Sequence, residues 1–176
     1  MDFVLKKELE KDNLIYVDII RPKNINEIRK IGNSNKLIII KCSNEDFNRA
    51  ALENRNIDIL LGSELIFSKD FVHFRASGLN QVLCKLAKKN DIAIGFSFSE
   101  LINFEKKEVL LGRFMQNVVL CRKYKIRMII GSFALKYNEI KNKSELMSFG
   151  KVIGMNGIEI KQALNFKKKE KSISIK

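Results

Sequence analysis

Apolar and polar positions alternate along this chain in a way that predicts strands and helices by turns. LIYVDII (Leu14–Ile20), KLIIIKC (Lys36–Cys42), Ile57–Leu61, Ile92–Phe96 and Arg127–Ile130 are short, apolar and rich in β-branched residues, as buried strands are. Phe71–Phe74 reads as one more short strand. The unbroken apolar middle of Lys36–Cys42 suits a strand covered on both faces. Between the strands the spacing changes to three and four. Leu79, Val82, Leu83, Leu86 and Ala87 form one helical stripe within Ser77–Asn90, with Lys85, Lys88 and Lys89 off it. Leu111, Phe114, Met115, Val118 and Cys121 form another over Glu105–Tyr124, with Arg113, Gln116, Arg122 and Lys123 outside it. Shorter helices are expected over Met1–Lys11, over Asn26–Ile31 with Gly32 as C-cap, and from a capping box at Ser43-Asn44-Glu45-Asp46 to about Asn54. Ser144 caps a helix through about Ile153, and Asn156 caps the last, with Glu159 as its capping-box partner.

Strand and helix alternation at this spacing means a parallel α/β sheet with right-handed crossovers. Either the sheet closes into a barrel or it stays open and doubly wound. No strand is followed by GxGxxG, which disfavours the open dinucleotide-binding form. A full eight-unit barrel uses about 200 residues or more, and this chain has 176. The expected architecture is therefore a TIM-barrel-like (β/α) barrel, abbreviated or incomplete. Residues 1–165 are expected to form one domain. Residues 166–176, KKKEKSISIK after Phe166, read as a basic disordered tail.

Charge narrows the partners. The net charge is +13, and the tail accounts for only a minor part of it. Such an excess favours polyanions, nucleic acid before a membrane surface. Lysine-rich usage alone would give the same total, so position matters as well as number. The three cysteines, Cys42, Cys84 and Cys121, are far apart and set among apolar residues, which argues against a disulfide framework or structural zinc. No apolar run approaches the ~20 residues of a membrane span, and the first residues lack a signal-peptide core. The expected location is the cytoplasm.

Protein-borne catalysis is poorly supplied. The one histidine, His73, reads as a packed or edge residue, and Asp18 and Asp58 have no second carboxylate or histidine beside them. No GxSxG, HExxH or GxxxxGK[ST] occurs, and Ser97 and Ser99 have no base paired with them in sequence. Cations are better organised. Arg21, Lys41 and Arg75 fall at or after the carboxyl ends of predicted strands, where parallel α/β folds expose functional loops. Lys85, Lys88, Lys89, Arg122, Lys123 and Lys125 lie on or beside helices. Aromatic residues are not interleaved with these cations, so backbone or shape recognition of structured RNA is expected ahead of stacking on single strands.

GLNQVLCKLAKKNDIAIGFSF (Gly78–Phe98), led into by HFRASG (His73–Gly78), closely resembles the signature block of the ribonuclease P protein component 3 family, archaeal relatives of the thirty-kilodalton eukaryotic subunit. GRFMQNVVLCRKYKIRMIIGS (Gly112–Ser132) and LMSFGKVIGM (Leu146–Met155) follow in the family's order, and the resemblance runs from about Lys36 to Leu164. It implies a barrel-like fold related to metal-dependent phosphoesterases but without their metal centre. It also implies a non-catalytic subunit of the particle that removes the 5′ leader of precursor tRNA, with Mg²⁺ used by the RNA and no cofactor held by the protein. The implied partners are ribonuclease P RNA, protein component 2, components 1 and 4, and a ribosomal-type kink-turn binding protein. A histidine common in the first block is Gln81 here, and the N-terminal third is short. The residues assigned to RNA are Arg75, Lys85, Lys88, Lys89, Arg122, Lys123 and Lys125, with Lys41 and Arg49; Arg127 is as well explained by an acid partner. Two rival readings are a stand-alone barrel phosphoesterase and a scaffold that touches only protein.

Overall fold

Asparagine starts most of the helices. In the computed structural model, which describes residues 2–5 and 14–168, side chains of Asn24, Asn44, Asn80, Asn142 and Asn156 each accept a hydrogen bond from the backbone N–H three residues on, at 2.9–3.0 Å. They open α1 (Ile25–Arg29), α2 (Glu45–Glu53), α3 (Gln81–Lys89), α6 (Lys143–Val152) and α7 (Gly157–Leu164). Asparagine thus displaces the serine caps expected at Ser43 and Ser144, and α3 begins at Gln81, after the expected Ser77. The Asn156–Glu159 capping box forms as expected. Helix α1 ends at Lys30 in right-handed geometry, so Gly32 is not its cap.

The strands are β1 (Asp2–Val4), β2 (Leu14–Tyr16), β3 (Ile19–Ile20), β4 (Ile39–Lys41), β5 (Ile59–Leu61), β6 (Ala93–Ser97) and β7 (Met128–Gly131). All pairings are parallel, in a sheet ordered β3-β4-β5-β6-β7 and a separate pair β1-β2. The expected helix over Met1–Lys11 is replaced at Asp2–Val4 by strand, because Phe3 and Val4 bury themselves against the sheet; residue 1 and residues 6–11 lie outside the described residues. Leu14–Ile20 breaks at Val17-Asp18 into β2 and β3. Phe71–Phe74 is no strand. Its chain turns back on itself, the Phe71 N–H donating to the Phe74 carbonyl at 3.0 Å.

Side chains alternate between two apolar cores. Ile40, Leu60, Ile94, Phe96 and Ile130 face outward into the layer filled by the helices. Ile39, Ile59, Leu61, Ala93 and Ile129 face inward, where Phe3, Val17 and Phe133 join them. An apolar inner cluster fed by five parallel strands and β1 is the interior of a curled sheet. The ring is incomplete among the described residues. Between β7 and β1 runs one bridge, Val4 to Ala134, with the Leu5 N–H donating to the Ala134 carbonyl at 2.8 Å. The Asp2 carboxylate takes the Ser132 N–H at 2.7 Å beside it and also accepts from the Ser132 hydroxyl.

The remaining helices are α4 (Phe98–Asn103), capped by Ser97, and α5 (Lys107–Tyr124). The buried face of α5 is Leu110, Arg113, Phe114, Asn117, Val118 and Cys121, a stripe rotated from the expected one, and Met115 is exposed. In α3, likewise, Leu83, Cys84 and Ala87 are buried while Val82 is exposed.

Candidate nucleic-acid interface

Two ends of the sheet must be separated before the cations can be placed. Helices α3 and α5 pack side by side and run back along the sheet to feed β6 and β7. Their C-termini therefore lie together, at the end where the strands begin. Lys88 and Lys89 stand in the last turn of α3, and Arg122, Lys123 and Lys125 at the end of α5. Cations there also complement the negative ends of two helix dipoles. Lys85 stands one turn earlier on the exposed side of α3. Lys85, Lys88, Lys89, Lys123 and Lys125 are exposed, and among the described residues none makes an ion pair with an acid. Lys125 closes α5 in the left-handed conformation, φ 54°.

Of the other assigned cations, Arg122, Arg49 and Lys41 are held by acids. Arg122 grips Glu159 with two bonds of 2.7 Å and donates to the Gly154 carbonyl at 2.7 Å, tying α5 to α7. The Arg122 bond holds the Glu159 carboxyl below its ordinary range against the opposing effect of desolvation. Arg49 pairs with Glu53 at 3.0 Å on the surface of α2. Arg127 pairs with Asp91 at 3.0 Å and lies under the Phe166 ring. Where α5, β7 and α7 meet, an open cleft of about 920 Å³ is lined by Arg122, Lys125, Arg127, Lys161 and Lys167. Lys161 and Lys167 extend the basic end beyond the assigned residues. Their signal in the sequence is ordinary helix polarity and a tail lysine. Lys168 is anchored as well, donating to the Ser34 carbonyl and, at 2.6 Å, to the Lys36 carbonyl, so contacts with the body continue past residue 165; residues 169–176 lie outside the described residues.

Lys41 belongs to the opposite end, where the strands finish. It is half-buried and paired with Glu100 of α4. Beside them Glu64, in the turn after β5, is 1% exposed. Burial pushes its carboxyl up to about 7, against hydrogen bonds from its own backbone and Ser63. Phosphoesterase chemistry in a barrel would belong at this end. Among the described residues no three His, Cys, Asp or Glu side chains gather as a metal site, and Lys41, a cation with no lone pair to give, already occupies Glu100 there.

Arg21 is exposed just after β3. Arg75 does not follow a strand. It leaves the loop 66–76 and lays its guanidinium over α5 at Gly112, where an added Cβ would lie 1.9 Å from Nη1. Arg113, fully buried, holds that loop from beneath: Nε donates to Asp70 at 2.7 Å, and Nη1 to the carbonyls of Glu64 at 2.9 Å and Phe67 at 2.8 Å. One turn on, Asn117 donates to the Ser77 carbonyl at 2.9 Å. His73, expected to be packed or at an edge, is exposed at the loop apex.

These features define, among the described residues, an incomplete parallel (β/α) barrel with a group of unpaired lysines at the C-terminal ends of α3 and α5. Comparison with known proteins gives that class its family. The family model "RNase P subunit p30" matches residues 13–169. Ribonuclease P protein component 3 of Methanosarcina acetivorans is 33% identical over 78% of this chain and 55% of its own length. Its counterpart in Thermococcus gammatolerans is 31% identical over 92% of this chain and 75% of its own length. A chain in a cryo-EM structure of archaeal ribonuclease P with mature tRNA has the same fold, with a TM-score of 0.72 at 22% identity over 92% of this chain and 75% of that one. The chain belongs to the ribonuclease P subunit p30 family. It spans about half the length of several of the curated relatives it matches.

Proposed function

We propose that this chain serves as a protein subunit of ribonuclease P, the ribonucleoprotein endonuclease that removes the 5′ leader of precursor tRNA. It binds and stabilises the RNA, and the RNA performs the chemistry with Mg²⁺; the chain holds no cofactor of its own. The observation that carries this reading is the family match across residues 13–169. The free lysines of α3 and α5 supply a means: ammonium groups without acid partners neutralise phosphates and release counterions. Protein component 2, components 1 and 4 and a ribosomal-type kink-turn protein are the proposed partners, and the cytoplasm the proposed compartment. The lysine–glutamate occupation of the barrel mouth supports leaving catalysis to the RNA over the phosphoesterase reading.

Reconstitution tests it. Ribonuclease P RNA and component 2 are mixed with and without the chain, and precursor tRNA cleavage is followed at limiting Mg²⁺. Stimulation is expected, and no stimulation refutes the proposal. Lys88→Glu with Lys89→Glu is expected to weaken RNA binding and to lower the salt slope of log affinity by about 2, one for each phosphate no longer neutralised. A chain that touches only protein has no salt-dependent RNA affinity to lose.

A further inference from the structure

The loop 66–76 is built to display aromatic rings. Its sequence, IFSKDFVHFRA, places Phe67, Phe71 and Phe74 among Lys69, His73 and Arg75. Phe71, Val72 and Phe74 are 46%, 94% and 60% exposed, although apolar residues of this size are ordinarily drawn inward. The rings are ordered against one another. Phe71 and Phe74 lie with centroids 4.6 Å apart and planes 30° from parallel, and Phe67 meets Phe71 edge-on at 5.4 Å. The base of the loop is fixed by the three bonds from Arg113 and by the Ala76 N–H, which donates to Asp70 at 2.9 Å. Asp70 is the one acid in the loop, and Arg113 already pairs with it. The apex therefore combines ring faces open to solvent with an excess of positive charge on a fixed base, Lys69, Arg75 and Arg113 against the one Asp70.

We infer that this loop is a stacking platform for unpaired RNA bases, Phe71 and Phe74 receiving the bases while Lys69 and Arg75 take the adjoining phosphates. Bases stack on aromatic faces irrespective of sequence, and neighbouring cations hold the backbone. Charge decides for nucleic acid over an apolar protein groove, since such a groove would have to cover Lys69 and Arg75 as well. The inference rests on the proposed RNA-binding function and adds to it a second mode of contact, distinct from the phosphate-directed lysines of α3 and α5.

The test uses the full chain and two probes, a short oligouridylate and a blunt, fully paired RNA duplex. Phe71→Ala with Phe74→Ala is expected to weaken oligouridylate binding roughly ten- to a hundredfold. Duplex affinity, the salt slope and the melting temperature are expected to stay as they were. Phe74→Trp is expected to keep the affinity. The chain has no tryptophan, so its emission reports the site alone, and oligouridylate is expected to quench it. Equal oligouridylate affinity in the wild type and the double alanine variant overturns the inference while leaving the proposed function standing. Loss of a protein subunit from the reconstituted particle with RNA affinity intact makes the loop a protein contact, and equally overturns it. A wild-type chain that binds neither probe refutes both readings.

Discussion

Glu64 offers a measurement in which one buried proton is read as stability. Its carboxyl is 1% exposed, and Oε1 has no hydrogen-bond partner. Desolvation raises its pKa from 4.5 to about 7. Below pH 4.5 Glu64 is neutral in both the folded and the unfolded chain and adds no pH dependence. Between 4.5 and about 7 the unfolded chain ionises there while the folded chain keeps its proton. The unfolded state gains, and stability falls as pH rises. The separation of the two values corresponds to about 3 kcal/mol lost across that window. Glu64→Gln cannot ionise, so it lacks this slope. Urea unfolding of both proteins from pH 4.5 to 8 is the assay. The variant's stability minus that of the wild type should rise by about 3 kcal/mol and level off above pH 7. Taking the difference cancels carboxylates that act in the opposite sense, such as Asp70 and Glu139, both held below their ordinary values. A flat difference, or one that falls with pH, would refute the assignment of a neutral buried glutamate at the barrel mouth.

Two glycines predict opposite outcomes. Gly78 has φ +75° and an added Cβ would lie 1.8 Å from the Ser63 carbonyl oxygen, so Gly78→Ala should leave little folded protein by circular dichroism. At Gly112 the clash is with the tip of Arg75, which can swing away; Gly112→Ala should alter the melting temperature little, because alanine's helix preference offsets the displacement. Removing the Arg113 clasp with Arg113→Ala should destabilise by about 3 kcal/mol and expose the loop 66–76 to protease, since two carbonyls and Asp70 lose their partner. Burial pushes the Cys42 and Cys84 thiols up to about 12 and about 11, so alkylation at pH 8 should be slow in the folded chain and fast in urea.

How far the sequence can be read follows from which signals are local. The parallel α/β class and the central strands are legible because β4, β5 and β6 are apolar on both faces, which alternation and length reveal directly. Tertiary choices are not. Arg113 and Asn117 complete the spacing of Leu110, Phe114, Val118 and Cys121, and the expected stripe is misphased because a charged residue is ordinarily taken to face water. Only pairing with Asp70 and two carbonyls, 43 to 49 positions earlier in the chain, makes Arg113's burial tolerable. The FVHF segment has strand composition, yet its backbone closes a turn, so its rings face outward. The same outward turn interleaves aromatics with cations, a pattern hidden when Phe71–Phe74 is read as a strand. The lysine face of α3 is legible from its stripe, whereas the occupation of Arg122 by Glu159 depends on a residue 37 positions away.

The seam between β1 and β7 has a consequence for how the chain is made. Asp2 and Ser132, whose side chains join across it, are separated by 130 positions. On a ribosome, β1 must wait until that stretch has been synthesised before its partner appears. Until then the inward faces of β4, β5 and β6 lack Phe133 and the closed seam that fixes Phe3 over them, and the nascent chain carries an open apolar trough. Closing such a distant contact comes late and slowly. The step that finishes the barrel is therefore also the one that ends its exposure to aggregation.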